Sequence, residues 1–145
     1  MFTNYGVKRD YLFNEETGTA MVKLKTKVGI FIGSAYCAPE DKDFMSEKTG
    51  YYIAENRAWI EFYRYIRDCE LLPQLKILEH LEDGVKAKAE KDKNGIMIFR
   101  AANNVREELK ELHDNIKDTQ RIIDSYIKDK EDLYQILRAR RSKNE

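Results

Sequence analysis

The sequence has few of the residues that build disulfide frameworks, metal sites or charged surfaces of one sign. It contains two cysteines and two prolines, and Lys plus Arg equals Asp plus Glu at 26 each. Two cysteines are too few for a disulfide framework or a zinc site, so Cys37 and Cys69 are predicted to be small buried residues in a reducing compartment. A net charge of zero gives no general attraction to nucleic acid or to an acidic membrane. Any bound anion must therefore be held by a local cluster.

Long apolar segments are missing as well. No run approaches the length of a membrane span, and Met1 is followed by Phe2-Thr-Asn-Tyr without a basic and apolar leader. We therefore expect a protein of the cytosol. Hydrophobic residues make up 42% and charged residues 36%, which is typical of a helix-rich globular chain and unlike a disordered one. The length predicts a single domain with one modest core.

The motifs of common catalytic sites are also absent. The chain has no Gly-x-Ser-x-Gly, no His-Glu-x-x-His and no Gly-rich phosphate loop. His80 and His113 have no second His or Cys at ligand spacing, so both are predicted to be surface or half-buried residues. Carboxylates are scattered among lysines, as they are on solvated helix faces. We therefore predict that the protein is not an enzyme and uses no metal or cofactor.

The N-terminal part, residues 1–45, carries the pattern of strands. Loosely alternating segments at 7–13, 20–25 and 30–37 are separated by turn residues at 14–18 and 26–29. Two hairpins in succession predict a small antiparallel meander. Three strands with one apolar face are only marginally stable alone, so the meander should pack on helices in an α+β fold.

The join that follows the third strand is predicted to be irregular. Pro39 ends the strand because it cannot donate a hydrogen bond to the ladder. Asp41 and Asp43 lack the glycine turn and the distal glutamate of a calcium loop. We therefore interpret them as a turn and a helix cap.

Residues 46–89 predict an aromatic helix to about residue 71 and a shorter helix to about residue 88, with Pro73 breaking or kinking the chain between them. The first helix carries most of the aromatic side chains: Tyr51, Tyr52, Trp59, Phe62, Tyr63 and Tyr65. It is apolar around most of its circumference and should lie between the sheet and another helix. Arg57 sits between two apolar stripes, where it either binds an anion or extends into water beside Glu55 or Glu61.

A connector and one long helix are predicted for residues 96–141. Residues 96–99 fit either a strand or the start of the helix. Asn104 and Glu107 can form a capping box, and Arg138, Arg140 and Arg141 suit the helix C-terminus. Ten positions spaced by four and three, eight of them apolar, form a heptad stripe: Val105, Leu109, Leu112, Ile116, Thr119, Ile123, Tyr126, Lys130, Leu133 and Leu137. A helix of residues 103–141 would be about 57 Å long. A compact chain of this size has a diameter of about 40 Å. The long helix is therefore expected to form an oligomer interface with a second chain.

A cluster suited to nucleotides precedes that stripe. Phe99, Arg100, Asn103, Asn104 and Arg106 combine an aromatic ring, two guanidinium groups and two amides at the predicted helix start, where free backbone N–H groups favour an anion. A ring can stack on a base, arginines can bind phosphate and amides can bind a base edge. In the alternative interpretation the asparagines cap the helix and Phe99 is core. Composition alone favours that alternative.

A short motif connects the third strand to the aromatic helix. Gly33-Ser-Ala-Tyr-Cys-Ala-Pro-Glu-Asp41 is followed by Ser46, Thr49-Gly50 and Ile53-Ala-Glu-Asn-Arg-Ala58. Together with the two later helices, this motif resembles the first family of Thoeris anti-defence proteins. These are cytosolic phage proteins that sequester cyclic ADP-ribose isomers made by TIR-domain enzymes of bacterial immunity. The similarity covers about residues 20–140.

The resemblance implies capture of the nucleotide without degradation. It also implies pockets at a homodimer interface between the sheet and the helices, assembly of dimers into hexamers and, in some relatives, cyclic oligonucleotides at separate sites. The resemblance implies a ligand-binding role for Arg57, which lies in the matching Ala-Glu-Asn-Arg-Ala segment. Arg138, Arg140 and Arg141 would form a second anion site, unless they only complement the helix dipole.

We therefore hypothesise a homo-oligomeric nucleotide sponge. Its ligand residues would be Arg57 and Arg100 on phosphates, Phe99 on a base and Asn103 on a base or ribose edge, with Arg106 nearby. The alternative is a non-catalytic coiled-coil protein of phage origin that has a structural or partner-binding role. Binding to DNA or RNA polymers is disfavoured by the neutral charge.

Overall fold

The computed structural model describes residues 5–36, 47–87 and 93–144. Its elements follow in this order: β1 (Lys8–Asn14), β2 (Thr19–Thr26), β3 (Gly29–Tyr36), α1 (Glu47–Tyr65), a π-helical segment (Ile66–Leu71), α2 (Leu72–Ala87) and α3 (Lys93–Asn144). The predicted α+β fold with an N-terminal meander is confirmed. Cys37, Pro39 and the predicted cap at Asp41 and Asp43 lie outside the described residues. No helix within the described ranges combines the length and apolar character needed to cross a membrane.

The three strands form one antiparallel sheet in the order β1-β2-β3. Tyr11 lies opposite Val22, and Val22 lies opposite Gly33. Ala20, Val22 and Leu24 are buried on one face, as period-two alternation requires. The first turn is closed by the Asn14 side chain, whose Oδ1 accepts hydrogen bonds from the backbone N–H groups of residues 16 and 17. This is the local hydrogen bonding for which asparagine is favoured in turns.

The sheet packs closely against α1. At Gly33 the backbone of β3 approaches the backbone of α1 at Ala54 and Ala58, and these two alanines are fully buried. Phe62 is also fully buried and makes an edge contact with Phe31 of β3, with ring centroids 5.3 Å apart. Small residues at the crossing and large rings beside it therefore fix the position of α1 on the sheet.

The chain divides into two compact units. The sheet unit consists of Met1–Phe62 and Asp118–Glu145, and the helical unit consists of Tyr63–Lys117. α1 and α3 each contribute residues to both units. A single domain for the whole chain therefore stays a prediction.

The helical path continues past Pro73, so of the predicted break or kink the break is wrong, although a new element does begin at residue 72. α2 follows the π-helical segment directly, and the backbone N–H of Leu72 donates to the carbonyl of Arg67, five residues earlier. A proline ring clashes with the carbonyl four residues before it. The wider π-helical turn just upstream changes the register of those carbonyls and lets the helix continue. Cys69, in the same segment, is exposed, so its predicted burial is wrong.

The long helix begins ten residues earlier than predicted. α3 starts at Lys93, so residues 96–99 are helical and Asn104 is not an N-cap. Starting a helix is costly whereas extending one is cheap. Met97, Arg100 and the two alanines after it are good helix formers, so the helix includes them without a break.

The stripe on α3 is covered by its own chain over most of its length. Val105, Leu112 and Ile123 are buried in the single chain. Leu133 is 50% exposed, and Ile136 beside it is 53% exposed. The three buried residues therefore need no second chain to cover them, and the predicted oligomer interface on α3 stays a prediction.

Candidate functional site

A cleft of about 430 Å³ lies in the sheet unit beside the start of α1. The described residues that line it are three tyrosines, two glutamates and one lysine: Tyr11, Glu47, Lys48, Tyr51, Tyr52 and Glu55. We call it the tyrosine cleft. Its volume is within the range of about 300–1,000 Å³ that is usual for small-molecule sites.

Five of the six lining residues come from the first turns of α1. Glu47, Tyr51 and Glu55 are spaced by four, so they follow one another along one face of the helix. Lys48 and Tyr52 form a second row beside them. Tyr11 is supplied by β1, where it lies opposite Val22 and therefore on the sheet face that packs against α1.

The carboxylates of the cleft bind tyrosine hydroxyls. The Tyr11 hydroxyl donates to Oε1 of Glu55 at 2.8 Å, and Arg9 Nε lies 2.9 Å from the same oxygen. Burial and the hydrogen bond to Glu55 raise the pKa of Tyr11. Burial and a hydrogen bond with Glu47 raise the pKa of Tyr51. Both phenols are therefore neutral hydrogen-bond donors at physiological pH.

The tyrosine rings are held by other rings. Tyr11 and Tyr51 make an edge contact with centroids 5.3 Å apart. Tyr52 stacks on Tyr126 of α3 at 5.6 Å, with an interplanar angle of 12°. Lys48 Nζ lies 5.8 Å from the centroid of the Tyr52 ring, which is a cation–π distance. Tyr52 nevertheless stays 42% exposed, so part of a pre-oriented ring is available to a ligand.

The described lining residues carry groups that can recognise a small ligand. Aromatic surface can stack on a planar ring, and carboxylates accept hydrogen bonds from amino and hydroxyl groups. Among the described residues that line the cleft, there is no serine, cysteine or histidine that could act as a nucleophile or as a general base near neutral pH. Within the described part of the chain, no group of three or more His, Cys, Asp or Glu side chains is arranged to hold a metal ion.

Arg57 lies in the sheet unit but does not line the tyrosine cleft. Its Nη1 donates to the backbone carbonyl of Ser34 at 2.7 Å. Lys130 Nζ lies 3.4 Å from the carbonyl of Tyr36, two residues further along β3. Because β3 is an edge strand among the described strands of the sheet, these two cations cap carbonyls of a sheet edge. A guanidinium has five donors, so Arg57 keeps further N–H groups beyond this contact.

The four predicted ligand residues of α3 lie in the helical unit. Phe99 is half-buried, whereas Arg100, Asn103 and Arg106 are exposed. Because α3 begins at Lys93, these residues lie beyond the first turn, and their backbone N–H groups are used within the helix. The predicted anion site at a helix start is therefore wrong.

Arg106 and Asn103 are bonded within the helical unit. Arg106 Nη1 donates to Asn103 Oδ1 at 2.8 Å, and Nη2 donates to Glu82 Oε1 at 2.6 Å. Glu79 lies 3.5 Å from the same Nη2. Glu82 is the buried member of this network, at 6% exposure. These contacts give Arg106 a structural role as the counter-ion of Glu82.

The basic residues near the chain end lie on the last turns of α3. Arg138 and Arg140 are exposed there, and the Arg141 side chain lies outside the described residues. His80 and His113 are both exposed, as predicted.

None of the cleft residues belongs to a site that the sequence predicts. The sequence pattern predicts an aromatic packing surface for Tyr51 and Tyr52 and solvated positions for the glutamates. One signal was available, because carboxylates occur four residues before and after Tyr51 on the same helix face. The contribution of Tyr11 required the strand register and the packing of the sheet on α1.

Comparison with known proteins gives no relative. No protein-family model, curated protein or solved structure matches the chain.

Proposed function

We propose that this protein captures a cyclic ADP-ribose-type nucleotide without degrading it, and so blocks TIR-derived immune signalling as a phage anti-defence protein in the host cytosol. The tyrosine cleft is the observation that carries this proposal. It combines a volume of about 430 Å³ with ring surface and hydrogen-bonding carboxylates. The described residues of its lining offer groups that bind a ring and its hydrogen-bond donors, which supports capture of such a ligand.

Phosphate binding requires basic residues beyond the described cleft lining. Arg57 lies in the same unit as the cleft and retains donors beyond its contact with Ser34, so we assign it to a phosphate of the ligand in the cleft. Phe99, Arg100 and Asn103 lie in the helical unit, where they remain the contacts that the sequence hypothesis proposes for base, phosphate and ribose. Arg138, Arg140 and Arg141 remain a proposed second site for a cyclic oligonucleotide.

The proposed protein acts as a homo-oligomer, either a dimer or a hexamer that is assembled from dimers. The exposed apolar side chains of Leu133 and Ile136 support an interface near the C-terminal end of α3. Such an interface would leave the buried part of the stripe unchanged.

The test is a melting-temperature panel with cyclic ADP-ribose isomers and cyclic dinucleotides. A ligand at 100 times its Kd stabilises the folded state by about 2.7 kcal/mol. We expect a clear increase with a cyclic ADP-ribose isomer, and recovery of the intact nucleotide after the complex is heated. A linear product in the recovered material would refute capture without turnover, and the absence of any shift across the panel would refute nucleotide binding.

The second candidate is a partner-binding coiled-coil protein without a small ligand. The observation that favours it is the length of α3, which has 52 residues and exposed apolar side chains at Leu133 and Ile136. The two candidates differ in the melting panel, because this second protein would respond to no nucleotide.

A further inference from the structure

We infer that the tyrosine cleft binds the nucleoside end of the ligand, an aromatic ring with hydrogen-bond donors, and leaves the phosphates outside. The inference rests on the proposed function and divides the ligand between two environments. The residues proposed to contact the aromatic ring of the ligand are those that line the tyrosine cleft, and none of them is a ligand residue in the sequence hypothesis.

The charge of the lining opposes entry of a phosphate. Among the described lining residues, two carboxylates, Glu47 and Glu55, face one ammonium, Lys48. Arg9 is a further cation beside the cleft, but its guanidinium is already engaged by Oε1 of Glu55 and lies 5.8 Å from the centroid of the Trp59 ring. Glu47 also occupies the first turn of α1, where the helix dipole would otherwise favour a ligand anion. A phosphate in this cleft would lose water and meet like charge, and both effects weaken binding.

The same carboxylates suit a donor-rich ring. An ionised carboxylate has about four lone-pair sites, and Glu55 uses one oxygen for the Tyr11 hydroxyl and Arg9 Nε. Glu47 accepts from Tyr51. Each can therefore also accept from an exocyclic amine or a ribose hydroxyl. A cleft whose acceptors are charged discriminates strongly against a ring that lacks the matching donor.

Tyr52 supplies the stacking surface. Its ring is fixed by Tyr126, yet it remains 42% exposed. Lys48 Nζ lies 5.8 Å from the ring centroid, so a positively charged group is already accommodated at this ring. Because the lysine stem is flexible, an electron-poor base can replace the ammonium over the ring.

The experiment measures binding of adenosine, purine riboside and inorganic pyrophosphate to the full chain by calorimetry. We expect adenosine to bind, purine riboside, which lacks the exocyclic amine, to bind at least fivefold more weakly, and pyrophosphate to leave adenosine binding unchanged. Tyr52→Ala should weaken adenosine binding by about fivefold or more, since stacking on one aromatic ring is worth about 1–3 kcal/mol. Tyr52→Phe, which keeps the ring, should bind adenosine within about twofold of the wild type.

A further variant controls for a general effect of removing a tyrosine. Tyr36→Ala removes another exposed tyrosine that does not line the cleft, and should leave adenosine binding unchanged. The comparisons of adenosine with purine riboside and with pyrophosphate use the unmodified chain, so they test the inference even if Tyr52→Ala fails to fold. Competition of pyrophosphate with adenosine, or equal binding of adenosine and purine riboside, would overturn the inference.

The outcomes also separate this inference from the proposed function. If a cyclic nucleotide binds equally well to wild type and to folded Tyr52→Ala, the cleft assignment is wrong and the proposed function stands. If adenosine binds as expected but no cyclic nucleotide does, the proposed function is wrong and the preference of the cleft for a nucleoside ring stands.

Discussion

The sheet unit and the helical unit use their polar side chains in different ways. In the sheet unit, Glu55 and Tyr11 are bonded to each other but still line an open cleft. In the helical unit, Arg106 joins Asn103 to Glu82, and Glu82 is almost fully buried. The comparison shows that ligand-like residue types indicate a site only when their hydrogen-bonding groups face accessible space.

The largest expected effect compares two glycines, one in each unit. A Cβ at Gly33 would overlap the carbonyl oxygen of Ala54 and lie 2.5 Å from the amide nitrogen of Ala58. Gly33→Ala must therefore move α1 away from β3, and we expect a loss of about 3 kcal/mol in the free energy of unfolding. The cleft, which depends on this packing, should lose its ligand as well.

Gly84 is the matched control in the helical unit. A Cβ at Gly84 has no neighbour within 4 Å, and the residue lies inside α2. Gly84→Ala should therefore stabilise the chain by about 0.5–1 kcal/mol. Urea unfolding of the two variants measures both values. A Gly33→Ala protein as stable as the wild type would contradict the close contact of β3 with α1.

An intermediate effect is expected in the helical unit. Arg106→Ala removes the counter-ion of Glu82, whereas Arg100→Ala removes an exposed arginine one helical turn and a half away. We expect the first variant to lower the melting temperature by several degrees, because a buried carboxylate loses its partner. The second should leave stability within about 0.5 kcal/mol of the wild type.

The two arginine variants should rank in the opposite order when nucleotide binding is measured in place of stability. Arg100→Ala should weaken binding of the cyclic nucleotide, since we propose that this side chain contacts phosphate. Arg106→Ala should bind normally at temperatures where it is folded. A stable Arg106→Ala protein that no longer binds nucleotide would show that its role is in the ligand site.

The smallest effect on stability is expected at the C-terminal end of α3. Leu133→Gln combined with Ile136→Gln replaces two side chains that are half exposed, so the folded chain should change by about 0.5 kcal/mol or less. If a second copy covers this surface, the oligomer should dissociate, as measured by light scattering after size exclusion. Ile77→Gln, on α2 in the helical unit, replaces an isoleucine of 64% exposure and should leave the mass unchanged. A wild-type chain that is already monomeric would refute the interface.

Much of the fold could be predicted from local patterns. Alternation at Ala20, Val22 and Leu24 gave the buried face of the sheet, and turn residues such as Asn14 gave the hairpins. Helix boundaries were less predictable. Asn104 has the composition of a cap, but the favourable residues before it extended the helix to Lys93 instead.

The candidate site was less predictable than the fold. Arg57 was singled out from its surroundings on α1, yet its first contact is with the Ser34 carbonyl 23 residues earlier in the chain. The tyrosine cleft combines Tyr11 with residues more than 35 positions away. Neither relation has a local signature, because both depend on how β1 and β3 pack against α1.

The sequence alone determined the alternating strands, the aromatic helix and the long helix with its apolar stripe, because each follows from the spacing of side chains along one segment. Only the tertiary structure decided which polar groups are accessible. The Glu55 carboxylate came to line a cleft and Glu82 became buried beside Arg106, although both are glutamates on helices. The physical reason is that burial and hydrogen-bond partners depend on neighbours that are distant in the chain.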